Sequence, residues 1–400
     1  MSMVGRIVSV ATLLLVAACG APATARPATG GGSAAPASAQ APALTPERER
    51  LLRDLIAKAN QEGSLEAEIV DSAMPATTAI RDAFVSRFAP LGLNIQVNLG
   101  AANQPTVWAA AQAAIAAGGV PQYDAMLGRD DSEVLPSLKR GMLQPIDNWQ
   151  ELLAAIDPAV ADGTVKPEDR SAEPFTGYGL VFDDRLKILL YNPEMITRDQ
   201  LPKTYLDLAE PRYKGQFVVP PWATSYSNGA YVYGKDRWLE VITAIGQNAA
   251  GVATYTAGAQ RMLAKQVAFQ QANQGEYFTQ HALGPNVPVD YAWFSDFTGW
   301  ASQYYVVPVR AKHPAAATLF ALFMTTDQGR AAWAPAYVAI NIRGGHLPVD
   351  EQTRQAIADS KTKLVDWFGT PESRTMLEWL DTPDGEAYLD RMNKALTRRG

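Results

Sequence analysis

The sequence predicts an α/β protein built as two lobes, and three observations carry that reading. Short apolar or alternating runs recur with amphipathic stretches between them, roughly every thirty residues, which implies largely parallel sheets joined by helical crossovers. The chain has 400 residues, 47% hydrophobic and 19% charged, a globular composition in a body longer than one hydrophobic core usually serves. No internal repeat and no long heptad run is present, so solenoids and coiled coils are excluded.

The beginning of the chain sets the compartment. Arg6 is followed by an apolar run from Ile7 to Ala18, broken only by Ser9 and Thr12. At about twelve residues it is too short to cross a ~30 Å hydrocarbon core and reads as the apolar part of a signal peptide. Val16-Ala17-Ala18-Cys19 resembles the bacterial lipobox, which would leave Cys19 as a diacylated N-terminus; the other reading is an ordinary secretory leader with an incidental cysteine. Cys19 is the sole cysteine, so no intrachain disulfide, thiol nucleophile or Cys-rich metal site is expected in the body. From Gly20 to Leu44 the residues are almost entirely Ala, Pro, Gly, Ser and Thr, a composition that cannot offset its ordering entropy and reads as a flexible tether. Residues 1–18 are therefore expected to be a signal peptide and 19–44 a lipid-anchored linker that holds an extracytoplasmic protein to a membrane.

The charge balance is mildly acidic, 41 Asp and Glu against 35 Lys and Arg, net −6 at pH 7. That argues against nucleic acid and against a polybasic membrane surface as partners.

Folded structure begins at Thr45, where Leu51, Leu52, Leu55 and Ile56 fall at helical spacing. Ser64–Ser72 reads as a strand, and Ala76–Phe88 as a helix with Ile80, Phe84 and Phe88 on one face. Leu93–Leu99 alternates as a strand, Val107–Ala117 is an Ala-rich helix, and Tyr123–Leu127 a third strand. A polar break at Arg129-Asp130-Asp131-Ser132 precedes a short helix to Arg140. Gly177–Asn192 reads as two extended apolar runs separated by Asp183-Asp184. Gln216–Pro220 is a strand leading to the loop Trp222–Asn228, followed by a helix over Trp238–Gln247, a strand over Val267–Gln271 and a helix over Glu276–Leu283. Gln303–Arg310 is a strand and Pro314–Met324 an apolar helix. Residues 350–400 read as helical, interrupted near Pro371 and Pro383, and are expected to pack on the first lobe as a cap. In open sheets ligands sit beyond the carboxyl ends of strands, so the loops after Ile69, Met126, Val219 and Phe269 are those to watch.

Four segments in order resemble the family-1 extracellular solute-binding proteins of ABC transporters, the group that includes ferric-iron binders. They are Ile56–Gly63 with Ala79–Phe88; Gly118–Leu143; Tyr191-Asn192-Pro193 through Pro202–Leu208 and Pro211-Arg212-Tyr213-Lys214-Gly215; and Ala311–Ala316 with Thr325–Gly329. Together they cover most of residues 51–335. The resemblance implies the type II periplasmic-binding-protein fold: two α/β lobes, two crossing hinge strands and a solute in the cleft, delivered to ABC permease subunits by a protein expected to be a monomer. The divisions expected on that basis are lobe I at 45–176, lobe II with the hinge strands at 177–302, a return to lobe I at 303–349 and a C-terminal helical extension at 350–400.

Candidate ligand contacts follow from the strand ends. Ser72 donates to an oxyanion or caps a turn. Arg129, next to Asp130, grips a carboxylate or phosphate in bidentate fashion or pairs with Asp130 or Asp131. Trp222, Ser225 and Tyr226 offer an aromatic face and hydroxyls to an organic solute, Trp222 alternatively packing beneath its loop; Tyr277 and Trp293 are further candidates. The family's iron binders use two adjacent tyrosines. The corresponding pair here is Tyr277-Phe278, without the second phenolate, and Tyr304-Tyr305 falls in an apolar strand whose alternate residues should face core and solvent. A small organic or oxyanionic solute is expected in preference to ferric iron, with no metal and no cofactor. A secreted hydrolase is the other class, but no Gly-x-Ser-x-Gly, His-Glu-x-x-His or phosphate-loop motif is present.

Overall fold

The computed structural model describes residues 44–398. Within them the chain forms strands β1 (Ser64–Val70), β2 (Gln96–Ala102), β3 (Met126–Arg129), β4 (Gly179–Tyr191), β5 (Phe217–Val219), β6 (Gly251–Val252), β7 (Phe269–Asn273), β8 (Asp290–Ala292), β9 (Thr298–Val306) and β10 (Leu364–Asp366). The signal peptide, Cys19 and the tether lie outside the described residues.

The first lobe starts with helix Pro46–Glu62. The Thr45 side chain accepts from the Arg48 N–H, proline occupies the first turn, and Gly63 ends the helix at φ 78°, a left-handed conformation that glycine adopts without strain. β1 and β2 pair in parallel, crossed over by helix Thr77–Phe88. Phe84 meets Phe320 and Phe323 at ring-centroid distances of 5.4 and 5.6 Å, so the apolar stripe of this helix docks on helix Pro314–Met324. Two long strands then leave the lobe. β4 and β9 run antiparallel from Gly179 opposite Val306 to Leu186 opposite Trp300. Leu180, Phe182, Tyr305 and Val307 belong to the first core, whereas Leu189, Tyr191 and Phe297 belong to a second. In that second region the sheet continues β4-β7-β5-β6, with β8 also on β4.

Three expectations are corrected. Asp183-Asp184 does not separate two strands; β4 runs through it. Both carboxylates are buried yet engaged across the crossing: Asp183 accepts from the Ile340 N–H at 2.8 Å, and Asp184 from the Ile342 N–H at 2.8 Å, the Trp300 indole at 2.9 Å and the Ser302 hydroxyl at 2.7 Å. With both carboxylates hydrogen-bonded by neighbouring segments, the strand runs on without a turn. Tyr304 and Tyr305 do not divide between core and solvent: β9 is covered on both faces, and the two side chains sit in separate cores. The last two helices of the C-terminal cap dock on the second lobe instead of the first, while its opening helix Pro348–Ser360 stays tied to first-lobe Arg330 through Asp350. Leu377, Leu380, Tyr388, Met392 and Leu396 of helices Pro371–Leu380 and Pro383–Thr397 share a core with Trp238, Ile242 and Ile245. The last helix comes so close that a Cβ on Gly246 would lie 2.3 Å from the Ala395 carbonyl oxygen. An apolar stripe shows that a helix docks; only the partner stripe on helix Lys235–Asn248 decides where.

Candidate ligand site

Charged, hydroxylic and aromatic side chains converge where strand ends meet the crossing strand. β3 ends at Arg129, β7 ends at Asn273, and β5 runs into the loop that carries Trp222, Thr224 and Ser225. β4 places Asp183, Arg185 and Lys187 at alternate positions, hence on one face. Hydrogen bonds tie Arg129 and Lys187 to the loop after β5 and to the end of β7. The Arg129 Nη1 reaches Thr224 Oγ1 at 3.4 Å, the Ser225 Oγ lies 2.6 Å from the Tyr255 hydroxyl, and the Lys187 Nζ donates to the Tyr255 hydroxyl at 3.3 Å and to Asn273 Oδ1 at 2.7 Å. Trp222 stands edge-on to Tyr255 with ring centroids 5.6 Å apart, and Arg185 lies 4.5 Å from the centre of the Tyr337 ring.

The electrostatics follow from burial and neighbours. Burial works against the charge on Arg129, but the Asp131 and Glu133 carboxylates outweigh it and raise its pKa; Arg129 grips both Asp131 oxygens at 2.7 and 2.6 Å. Burial lowers the pKa of Lys187, and the positive charges of Arg129 and Arg185 add to that effect. Burial alone would push the Tyr255 phenol up, but the Lys187 ammonium and the Ser225 hydrogen bond bring it below its ordinary value. Asp183, ion-paired with Arg185, has its carboxyl pushed up to about 6 by burial, against the pull of Arg185 and the Ile340 N–H.

A pH dependence follows from Asp183. Because the folded state holds this proton more tightly than the unfolded chain, the stability it contributes is complete below about pH 4 and is lost as pH rises through about 6. A rise from the ordinary carboxylate range to about 6 corresponds to on the order of 3 kcal/mol. In urea melts at pH 4.5 and 7.5, Asp183→Asn should gain stability relative to wild type at the higher pH. An unchanged difference would mean that Asp183 titrates normally.

Of the residues singled out in the sequence, Arg129, Trp222 and Ser225 come together here. Asp130 is turned inward, its Oδ2 accepting from the Ser302 N–H of β9 at 2.7 Å. Tyr226 is buried in the second core, its ring 6.0 Å from that of Tyr205. Tyr277 and Trp293 flank Tyr291, at centroid distances of 4.5 and 5.7 Å, and Tyr291 is tied to the end of β7 through Gln274 at 3.2 Å. The side chain of Ser72 lies outside the described residues. Arg185, Lys187, Tyr255 and Asn273 were not anticipated. The available signal was the alternation Asp183-x-Arg185-x-Lys187 within an otherwise apolar run.

Tyr304 and Tyr305 are not placed to serve a metal. Burial raises the pKa of both phenols and keeps them protonated. Among the described residues there is no group of three or more His, Cys, Asp or Glu placed to hold a metal ion, and no helix long and apolar enough to cross a membrane.

Two α/β regions sharing a pair of crossing strands, with polar and aromatic groups gathered at the strand ends, define a binding protein of the type II periplasmic class. The chain belongs to the family of bacterial extracellular solute-binding proteins, whose model matches residues 83–344. Membership implies a small solute as ligand, ABC permease subunits as partners and an extracytoplasmic setting. Among solved structures it is similar to iron-bound HitA from Pseudomonas aeruginosa, with 16% identity and a TM-score of 0.63 over 83% of this chain and 99% of that one. The substrate-binding protein of an ABC transporter from Agrobacterium tumefaciens gives 16% identity and a TM-score of 0.63 over 83% and 94%. AgtB from A. tumefaciens R10, in complex with agropinic acid, gives 18% and 0.58 over 82% and 99%. At these identities the likeness speaks for the fold. No curated protein sequence matches the chain.

Proposed function

We propose that this protein captures a small organic or oxyanionic solute between its lobes and hands it to an ABC importer, as a monomeric, non-catalytic lipoprotein anchored through Cys19. In this reading residues 45–176 and 303–349 form lobe I, 177–302 form lobe II with the hinge strands, and 350–400 are a C-terminal helical extension whose last two helices buttress lobe II. The observation that carries the choice of solute is the cation group Arg129, Arg185 and Lys187 beside Trp222, Ser225 and Tyr255. Positive charge in a partly dry cleft attracts an anion and repels a free ferric ion. HitA is iron-bound and AgtB holds agropinic acid, so the fold accommodates either chemistry and the side chains decide.

The test is a thermal-shift screen of the purified chain against oxyanions, organic acids, sugars, amines and metals. A solute at a hundredfold excess over its Kd adds about 2.7 kcal/mol to the folded state, enough to move Tm by several degrees. Stabilisation by Fe³⁺ alone would overturn the preference for an organic or oxyanionic solute. In the same preparation Cys19→Ser protein should leave the detergent phase; continued partitioning with membranes would remove the lipid anchor from the proposal.

A further inference from the structure

Two of the three cations at the site are held by a neighbouring carboxylate. Arg129 is held by Asp131 and Arg185 by Asp183. Lys187, only 8% exposed, has no carboxylate partner among the described residues; its two hydrogen bonds go to the Asn273 carboxamide and the Tyr255 hydroxyl. An ammonium has three donors, so one remains open. The buried Nε of Arg129 also lacks a hydrogen-bond partner among the described residues, and Arg129 is linked to the Lys187 group through adjacent residues, its Nη1 on Thr224 at 3.4 Å and Ser225 on the Tyr255 hydroxyl at 2.6 Å. A buried cation without a counter-ion is strongly unfavourable. Beside it, Trp222 is left 36% exposed, a large aromatic surface braced at its edge by Tyr255.

We infer that the solute is an organic acid: its carboxylate docks on the open donors of Lys187 and Arg129, and its flat or apolar body lies on Trp222. The inference rests on the solute-binding reading and sharpens it. The two oxygens of a carboxylate can take the open donor of Lys187 and the unpartnered Nε of Arg129, and its charge supplies the counter-ion that Lys187 lacks. A neutral sugar would leave Lys187 uncompensated, and a doubly charged phosphate ester would set excess negative charge beside Asp131 and Asp183. A polyamine or a metal ion would add positive charge beside the uncompensated Lys187. Two charged groups already paired with internal acids do not call for a second anion from the solute.

Removing the Lys187 charge has opposite consequences for the empty and the filled protein. In the empty protein it relieves an unpaired buried charge; in the filled one it removes the counter-ion. A merely structural lysine would not show that opposition.

The experiment is isothermal titration of the full chain in detergent with benzoate, phenylacetate, hexanoate and acetate, each beside its primary amide, together with inorganic phosphate, glucose and Fe³⁺. At least one acid is expected to bind tenfold or more tightly than its amide. Lys187→Met should lose that binding by tenfold or more while its ligand-free Tm is equal to or above that of wild type. Trp222→Ala, at a half-exposed position where folding is not at stake, should weaken an aromatic acid several-fold and leave acetate unchanged. Equal binding of acid and amide, or full binding by Lys187→Met, would overturn the inference. Binding of phosphate, glucose or Fe³⁺ with no acid would overturn it too, yet leave the solute-binding reading standing. Silence from every compound, with no small molecule in protein isolated from its own cells, would count against both.

Discussion

Arg330→Met should lower stability by about 3–5 kcal/mol, the cost of breaking a buried ion pair from one side. Arg330 and Asp350 are both almost fully buried, joined by Nη1–Oδ1 at 3.0 Å and Nη2–Oδ2 at 2.6 Å. Asp350 also accepts from the N–H groups of Asn341 at 2.7 Å and Leu347 at 2.8 Å, so one carboxylate organises the whole bend between the first-lobe helices and helix Pro348–Ser360. Methionine fills the space of the arginine stem but leaves that carboxylate facing apolar surroundings. The loss should be read in reversible urea unfolding. The double variant Arg330→Met with Asp350→Leu should recover part of it, since replacing both partners removes the stranded charge. A single variant within 1 kcal/mol of wild type would show that water supplies the missing partner.

Arg129→Met is expected to weaken binding of whichever anionic solute stabilises the wild type by about 2–5 kcal/mol, the usual cost of removing one partner of a desolvated, hydrogen-bonded charge pair. Arg129→Lys should recover only part, because one ammonium cannot hold Asp131 and Thr224 as Nη2 and Nη1 now do and still offer the Nε donor. The two variants separate charge from geometry when compared by titration calorimetry. Unaltered affinity in Arg129→Met would place the solute's charge elsewhere in the cleft. The bond from Arg129 to Thr224 links the end of β3 to the loop after β5, so loss of the guanidinium should also raise the dissociation rate.

Local pattern carried some elements fully. Helix Pro314–Met324 is read directly from the sequence because a proline opens it and every residue from Ala315 to Met324 is buried, which leaves no competing period. Strand ends were less legible. β9 spans Thr298–Val306 where local pattern points to Gln303–Arg310, since pairing with β4 and β10 sets its limits, and pairing is tertiary information. The same reason hid half of the site. Two adjacent aspartates ordinarily signal a turn, and only the Ile340 and Ile342 N–H groups that approach them make a continuous strand affordable there. Without that strand, Arg185 and Lys187 have no common face. Ser225 and Tyr226 show the opposite problem: neighbours in sequence, they look equally suited to a ligand, yet the short helical turn Ala223–Tyr226 directs one hydroxyl to Tyr255 and the other ring into the core.

The crossing itself is not a simple pair of strands. β10 lies parallel to β9 from Leu364 opposite Thr298 to Asp366 opposite Trp300, and Arg343 reaches Asp366 at 3.3 Å while resting 4.3 Å above the Trp300 ring. Rotation of one lobe against the other must therefore twist three hydrogen-bonded strands at that end, not two. The torsional stiffness of the joint is set partly by residues near position 365, far along the chain from any solute contact. How widely the jaws gape at rest is to that extent a property of the C-terminal segment, and can be tuned there without touching the groups that choose the solute.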